Sequence, residues 1–82
     1  MKKSDFILSQ ELLIEKEVTN TIEAIESKLR ENGYACLQIR FECSPTLLTE
    51  LETRVGSHFK EREWTIDIVV SRAHKTIDVE VY

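Results

Sequence analysis

The last nineteen residues, Trp64 to Tyr82, alternate apolar and polar side chains twice over, with a short polar break between the two runs. Trp64, Ile66, Ile68 and Val70 alternate with Thr65, Asp67, Val69 and Ser71; Ile77, Val79 and Val81 alternate with Thr76, Asp78, Glu80 and Tyr82. A period of two in β-branched residues marks half-buried strands. Folding the runs back about Ala73 and His74 sets Val70 opposite Ile77, Ile68 opposite Val79 and Ile66 opposite Val81. The other face then pairs Ser71 with Thr76, Val69 with Asp78, Asp67 with Glu80 and Thr65 with Tyr82. One register satisfies both faces, and a slip of one residue inverts them. Two-residue hairpin loops favour Asn-Gly or Gly-X, so Ala-His predicts a four-residue loop, Arg72 to Lys75.

The rest of the chain has to cover the apolar face of this hairpin. Asp5 to Asn32 reads as helix, with Ser4 as its cap and Gly33 at its end. Val18, Ile22, Ile25 and Leu29 share one helical face. Asn20 followed by Glu23 resembles a capping box inside a β-branched stretch, so a break near Asn20 is the alternative. Tyr34 to Cys43 is the first strand. Leu37, Ile39, Phe41 and Cys43 face one way; Cys36, Gln38, Arg40 and Glu42 face the other. Ser44-Pro45 opens a second helix that runs to about Val55, with Leu47, Leu48, Leu51 and Val55 buried and Gly56 ending it. Ser57 to Glu63 is the loop into the hairpin, with Phe59 tucked under that helix.

The expected fold is therefore α+β, in the order α-β-α-β-β, with helices on one face of a three-stranded sheet. Strand order 1-3-2 is preferred and 1-2-3 is the alternative. At 82 residues one domain, residues 1–82, is expected. Its 41% hydrophobic and 32% charged residues suit a globular chain. A net charge of −4 argues against nonspecific nucleic-acid binding. No apolar run reaches the ~20 residues of a membrane span. The opening MKKSDFILSQ resembles a signal peptide, but polar residues interrupt its apolar part, and a cytoplasmic protein is expected.

Phe6, Ile7, Leu8, Leu12, Leu13 and Ile14 are too many apolar residues for one narrow stripe. A continuous helix from Asp5 to Asn32 spans ~42 Å, whereas a seven-residue strand spans ~24 Å. Residues 5–16 are thus expected to project as an oligomerisation segment. They would pair with a second copy, dock on a partner or fold back as a separate helix.

The outer sheet face carries the other candidate site. Asp67 and Glu80 oppose each other, Asp78 lies one step along, and Arg40 is expected beside them as partial counter-ion. Like charges facing each other on a sheet are unfavourable, so this face reads either as solvated surface or as a docking face for a basic partner. A flat face supplies too few ligands for a divalent cation. No lysine follows Glu80 at short spacing, as a metal-nuclease pattern would need. Cys36, Cys43, His58 and His74 are spread over different faces or ends of the expected fold, and no nucleophile sits beside a base. Cys36 and Cys43, on opposite faces, read as one surface and one core thiol. No glycine-rich phosphate loop is present. The expectation is a non-enzymatic protein-interaction module, an inhibitor, adaptor or assembly component, homodimeric through the N-terminal helix. No cofactor and no metal are expected. The alternative is a nucleic-acid-binding accessory protein using basic loops 58–62 and 72–75, which lie at opposite ends of the sheet.

Overall fold

A computed structural model describes all 82 residues. Helix α1 spans Lys3–Ser9, α2 Glu11–Asn32 and α3 Leu48–Lys60; strand β1 spans Ala35–Arg40, β2 Ile66–Ser71 and β3 Thr76–Val81. The fold is α+β. Its antiparallel sheet has the order β1-β3-β2, so the last strand is central. The hairpin register is the one its alternation dictates, from Ile66 opposite Val81 to Ser71 opposite Thr76. Thr65 and Tyr82 extend it, exchanging backbone hydrogen bonds of 2.8 and 2.9 Å. The turn is the four residues Arg72–Lys75, closed by Lys75 at φ 54°.

Only one face of the sheet is covered. α2 lies over β1 and α3 over β2, side by side. Ile25 and Leu29 of α2, Leu48, Leu51, Val55 and Phe59 of α3, and Ile77, Val79 and Val81 of β3 form one buried cluster. The central strand's inner row is the most deeply buried part of the sheet, while Leu37, Ile39, Ile66, Ile68 and Val70 on the edge strands are half-buried.

The helices differ from the sequence expectation in four places. The N-terminal helix begins at Lys3, with no side-chain cap, so Ser4 does not cap it. It breaks at Gln10, so it is neither continuous from Asp5 to Asn32 nor, as in the alternative, broken at Asn20. The Gln10 N–H donates to the Ile7 carbonyl, a tightened last turn, and the Ile14 N–H then bonds the Gln10 carbonyl to restart the helix. The β-branched stretch around Asn20 stays helical because its apolar side chains pack on the core. Thr21 is buried there, and its hydroxyl donates 2.7 Å to the Glu17 carbonyl. Tertiary burial outweighs the local capping signal.

α3 runs through Gly56 to Lys60, so residues expected in a loop, His58 and Phe59 among them, are helical. Gly56 is buried inside the helix, and a Cβ built on it would stand 3.9 Å from Ile68 Cδ1. The chain leaves α3 through Glu63, which takes the left-handed conformation at φ 69°. Gly33 does end α2 as expected, at φ 66°. Ser44 accepts a bond from the Thr46 N–H with Pro45 following, but it opens a 3-10 turn, Pro45–Leu47, ahead of α3. Strand β1 is shorter than Tyr34–Cys43, although Phe41 and Cys43 beyond it are still buried. No helix is long and apolar enough to cross a membrane.

Candidate interaction surfaces

The break at Gln10 divides the six N-terminal apolar residues. Ile14 is 0% exposed and belongs to the core, so it is not available to a partner. Phe6 and Ile7 are half-buried against the core. Leu8, Leu12 and Leu13 remain outside, at 71%, 83% and 36% exposure. The straight projection of residues 5–16 is therefore replaced by a bent segment with one end anchored. The anchor is Arg54 on α3. Its Nη1 and Nη2 donate to both carboxylate oxygens of Glu11, each at 2.8 Å, and its Nε donates 3.0 Å to Glu50. This two-pronged geometry fixes direction as well as charge. It holds the Glu11 carboxyl below its ordinary range, through the Arg54 hydrogen bonds first.

On the open sheet face, Asp67 opposes Glu80 as the register requires, and Asp78 lies beside Val69. The β1 neighbours are Cys36 opposite Glu80 and Gln38 opposite Asp78. Arg40 sits opposite Thr76, past the acids, and makes no ion pair. It is thus not the counter-ion that the sequence suggested. The β1–β3 pairing, unlike the hairpin, is not set by a connecting turn. Two phenols serve the acids instead. Tyr34 donates 2.6 Å to Glu80 and Tyr82 donates 3.3 Å to Asp67. The bond to Glu80 pushes the Tyr34 hydroxyl up to about 12, and the charge of Asp67 raises that of Tyr82. Tyr34 is the residue that sequence reasoning missed: it shares the parity of Cys36, Gln38 and Arg40, so this face carries two aromatics. Val69, 64% exposed, supplies an apolar patch among the acids.

The basic residues are dispersed. The stretch 58–62 is the end of α3 and its exit turn, not a free loop. Arg62 donates 2.9 Å to the His58 carbonyl, and Arg72 in the hairpin turn donates 2.9 Å to Thr49 Oγ1 at the other end of α3. His58 Nε2 lies 2.9 Å from Glu26, between helices. Cys36 is exposed; Cys43 is buried, and that burial raises its thiol pKa. No set of three or more His, Cys, Asp or Glu side chains converges in a metal-binding arrangement.

Fold and surfaces together define a small α+β domain with a sheet covered on one side, an open acidic face and an exposed apolar corner. No family model, curated protein or solved structure matches the chain.

Proposed function

We propose that the chain is a non-enzymatic protein-interaction module, of the inhibitor, adaptor or assembly-component kind, that works as a homodimer. The observation that carries the interaction reading is the exposure of Leu8 and Leu12, 71% and 83%, beside a core that closes over Ile14 only two residues later. Apolar side chains grouped in this way on a small chain mark a contact surface. At about 100 Å² per leucine, the exposed parts of Leu8, Leu12 and Leu13 amount to roughly 200 Å², against ~800 Å² per partner in a stable interface. The corner is thus one contact point within a larger interface and does not by itself make the whole seam of a homodimer. Asp67, Asp78 and Glu80 have no cationic partner, which favours approach of a basic protein. An exposed, unpaired Cys36 suits the reducing cytoplasm.

The test is capture from a lysate of the source organism on immobilised wild-type protein and on the Leu8→Asp/Leu12→Asp variant. A protein held by the first and lost by the second supports the reading. Identical captured sets would remove it, since both side chains lie outside the core and the variant keeps its fold.

A further inference from the structure

The open edge of β2 bears on where a homodimer would form, an inference that rests on the homodimer reading proposed above but not on the leucine corner. β2 pairs only with β3, so its other edge is open. Thr65 and Tyr82 exchange both of their backbone bonds. In an antiparallel ladder such pairs alternate with pairs that turn their groups away. Asp67, Val69 and Ser71 therefore bond inward to β3, and Ile66, Ile68 and Val70 present their N–H and C=O groups to the open edge. The same three residues supply β2's apolar inner row, which is only half-buried. This edge has no proline, lysine or bulge to keep it from pairing, and its one charged side chain, Asp67, lies on the open face of the sheet.

A groove runs along this edge between β2 and α3, lined by Glu52, Thr53, Gly56, Ser57, Lys60, Ile66 and Ile68. α3 also touches β3, whereas α2 stands over β1, so room is left at the β2 edge. Glu52, Gly56 and Lys60 follow one another at four-residue spacing, which places them on one stripe of the helix. Gly56, lacking a side chain, lies over Ile68.

We propose that two copies of this chain join antiparallel through β2, about a twofold axis at Ile68 and the overlying Gly56, into one six-stranded sheet. Ile68 then bonds the partner's Ile68, and Ile66 the partner's Val70, which satisfies every open backbone group of the three residues. On the outer face Asp67 meets the partner's Val69, so no two acids are opposed across the seam. On the helix side Glu52 meets the partner's Lys60, and Lys60 the partner's Glu52. A shift in register towards Ile66 would set Asp67 against its own copy. The edge thus complements itself in hydrogen bonds, apolarity and charge in one register.

The experiment is sedimentation equilibrium over a range of concentrations, with folding of each variant checked by circular dichroism. Wild type is expected to dimerise. Glu52→Lys and Lys60→Glu each convert two attractive contacts per dimer into repulsive ones and weaken association by about tenfold. The charge-swapped Glu52→Lys/Lys60→Glu variant recovers it, which a folding defect cannot do. Ile68→Pro removes an N–H that points to the open edge, so it spares the bonds to β3 and gives a folded monomer. A wild type that stays monomeric, a swap as weak as the single variants, or a dimer abolished by Leu8→Asp/Leu12→Asp but untouched by Glu52→Lys would each overturn the proposal. None of these outcomes touches capture of another protein at the leucine corner.

Discussion

Ile14 and Leu12 are two residues apart in the first turn of α2, and the bend at Gln10 gives them opposite fates. Ile14 is 0% exposed and Leu12 is 83% exposed. Replacing Ile14 by Ala removes three buried carbons. At ~0.8 kcal/mol per methylene the transfer loss is about 2.4 kcal/mol. The packed neighbours collapse only partly, so a cavity term raises the cost to about 3–4 kcal/mol. The same truncation at Leu12 removes side chain already in water and costs less than about 0.5 kcal/mol. At ~0.05–0.15 kcal/mol per residue the domain has roughly 4–12 kcal/mol to lose. Ile14→Ala therefore consumes a large part of the stability. Urea unfolding followed by circular dichroism, at one low protein concentration, measures both variants. The midpoint of Ile14→Ala falls steeply with an unchanged slope, and that of Leu12→Ala stays near wild type. If the N-terminal segment projected from the domain as one straight helix, the two variants would behave alike. An Ile14→Ala cost under about 0.5 kcal/mol would thus refute the packing described here.

Two further outcomes follow from the same packing. The Glu11 carboxyl titrates below its usual 4.5 because of Arg54, so its pairing stabilises the fold above that value and is lost as pH falls through the lower folded value. The stability gap between wild type and Arg54→Met is accordingly widest near neutral pH and closes on acidification below 4.5, as urea midpoints between pH 7 and pH 2 would record; a gap that persists at pH 2 contradicts the assignment. Gly56→Ala meets only ordinary contact with Ile68 and removes a helix-interior glycine, so it raises stability by about 0.5–1 kcal/mol, whereas Gly33→Ala at φ 66° lowers it by about 1–2 kcal/mol. Thermal melts at a concentration that keeps the protein monomeric distinguish the two, and a destabilised Gly56→Ala would mean that α3 is interrupted there after all.

Where the sequence was legible, one local pattern fixed the answer. The hairpin register follows from two alternating runs whose faces both have to match, and a turn of the right length joins them. Strand order 1-3-2 follows because the last strand can lie antiparallel to both others. The misreadings have a common physical origin. Gly56 has the look of a helix terminator, but Val55 and Phe59 on either side of it are buried in the core and keep the backbone helical through it. Asn20 and Glu23 have the look of a helix start, but burial of Thr21 and Ile25 on the same turns keeps the backbone helical. The break at Gln10 has no punctuation at all. What holds it is Arg54, 43 residues along the chain, whose bonds to Glu11 fix the start of α2.

The surfaces obey the same division. Asp67 and Glu80 were readable as neighbours because the hairpin alone sets them face to face. Arg40 was not, because its position depends on how β1 slides along β3, and nothing in the chain between Arg40 and Thr76 dictates that slide. The structure sets Gln38, not Arg40, opposite Asp78, while Glu80 and Asp67 take hydrogen bonds from Tyr34 and Tyr82. The edge of β2 depends on something subtler still. Side-chain alternation says which residues face the helices, but it is silent on which residues turn their backbone groups outward. That second parity comes from the bonded pair Thr65–Tyr82 beyond the strand ends. Because both parities fall on Ile66, Ile68 and Val70, the residues that offer hydrogen bonds at the edge are also the ones with apolar surface still to bury. Had the bonded pairs been the alternate ones, the open groups would belong to Asp67, Val69 and Ser71, and the backbone edge and the apolar groove would no longer ask for the same partner.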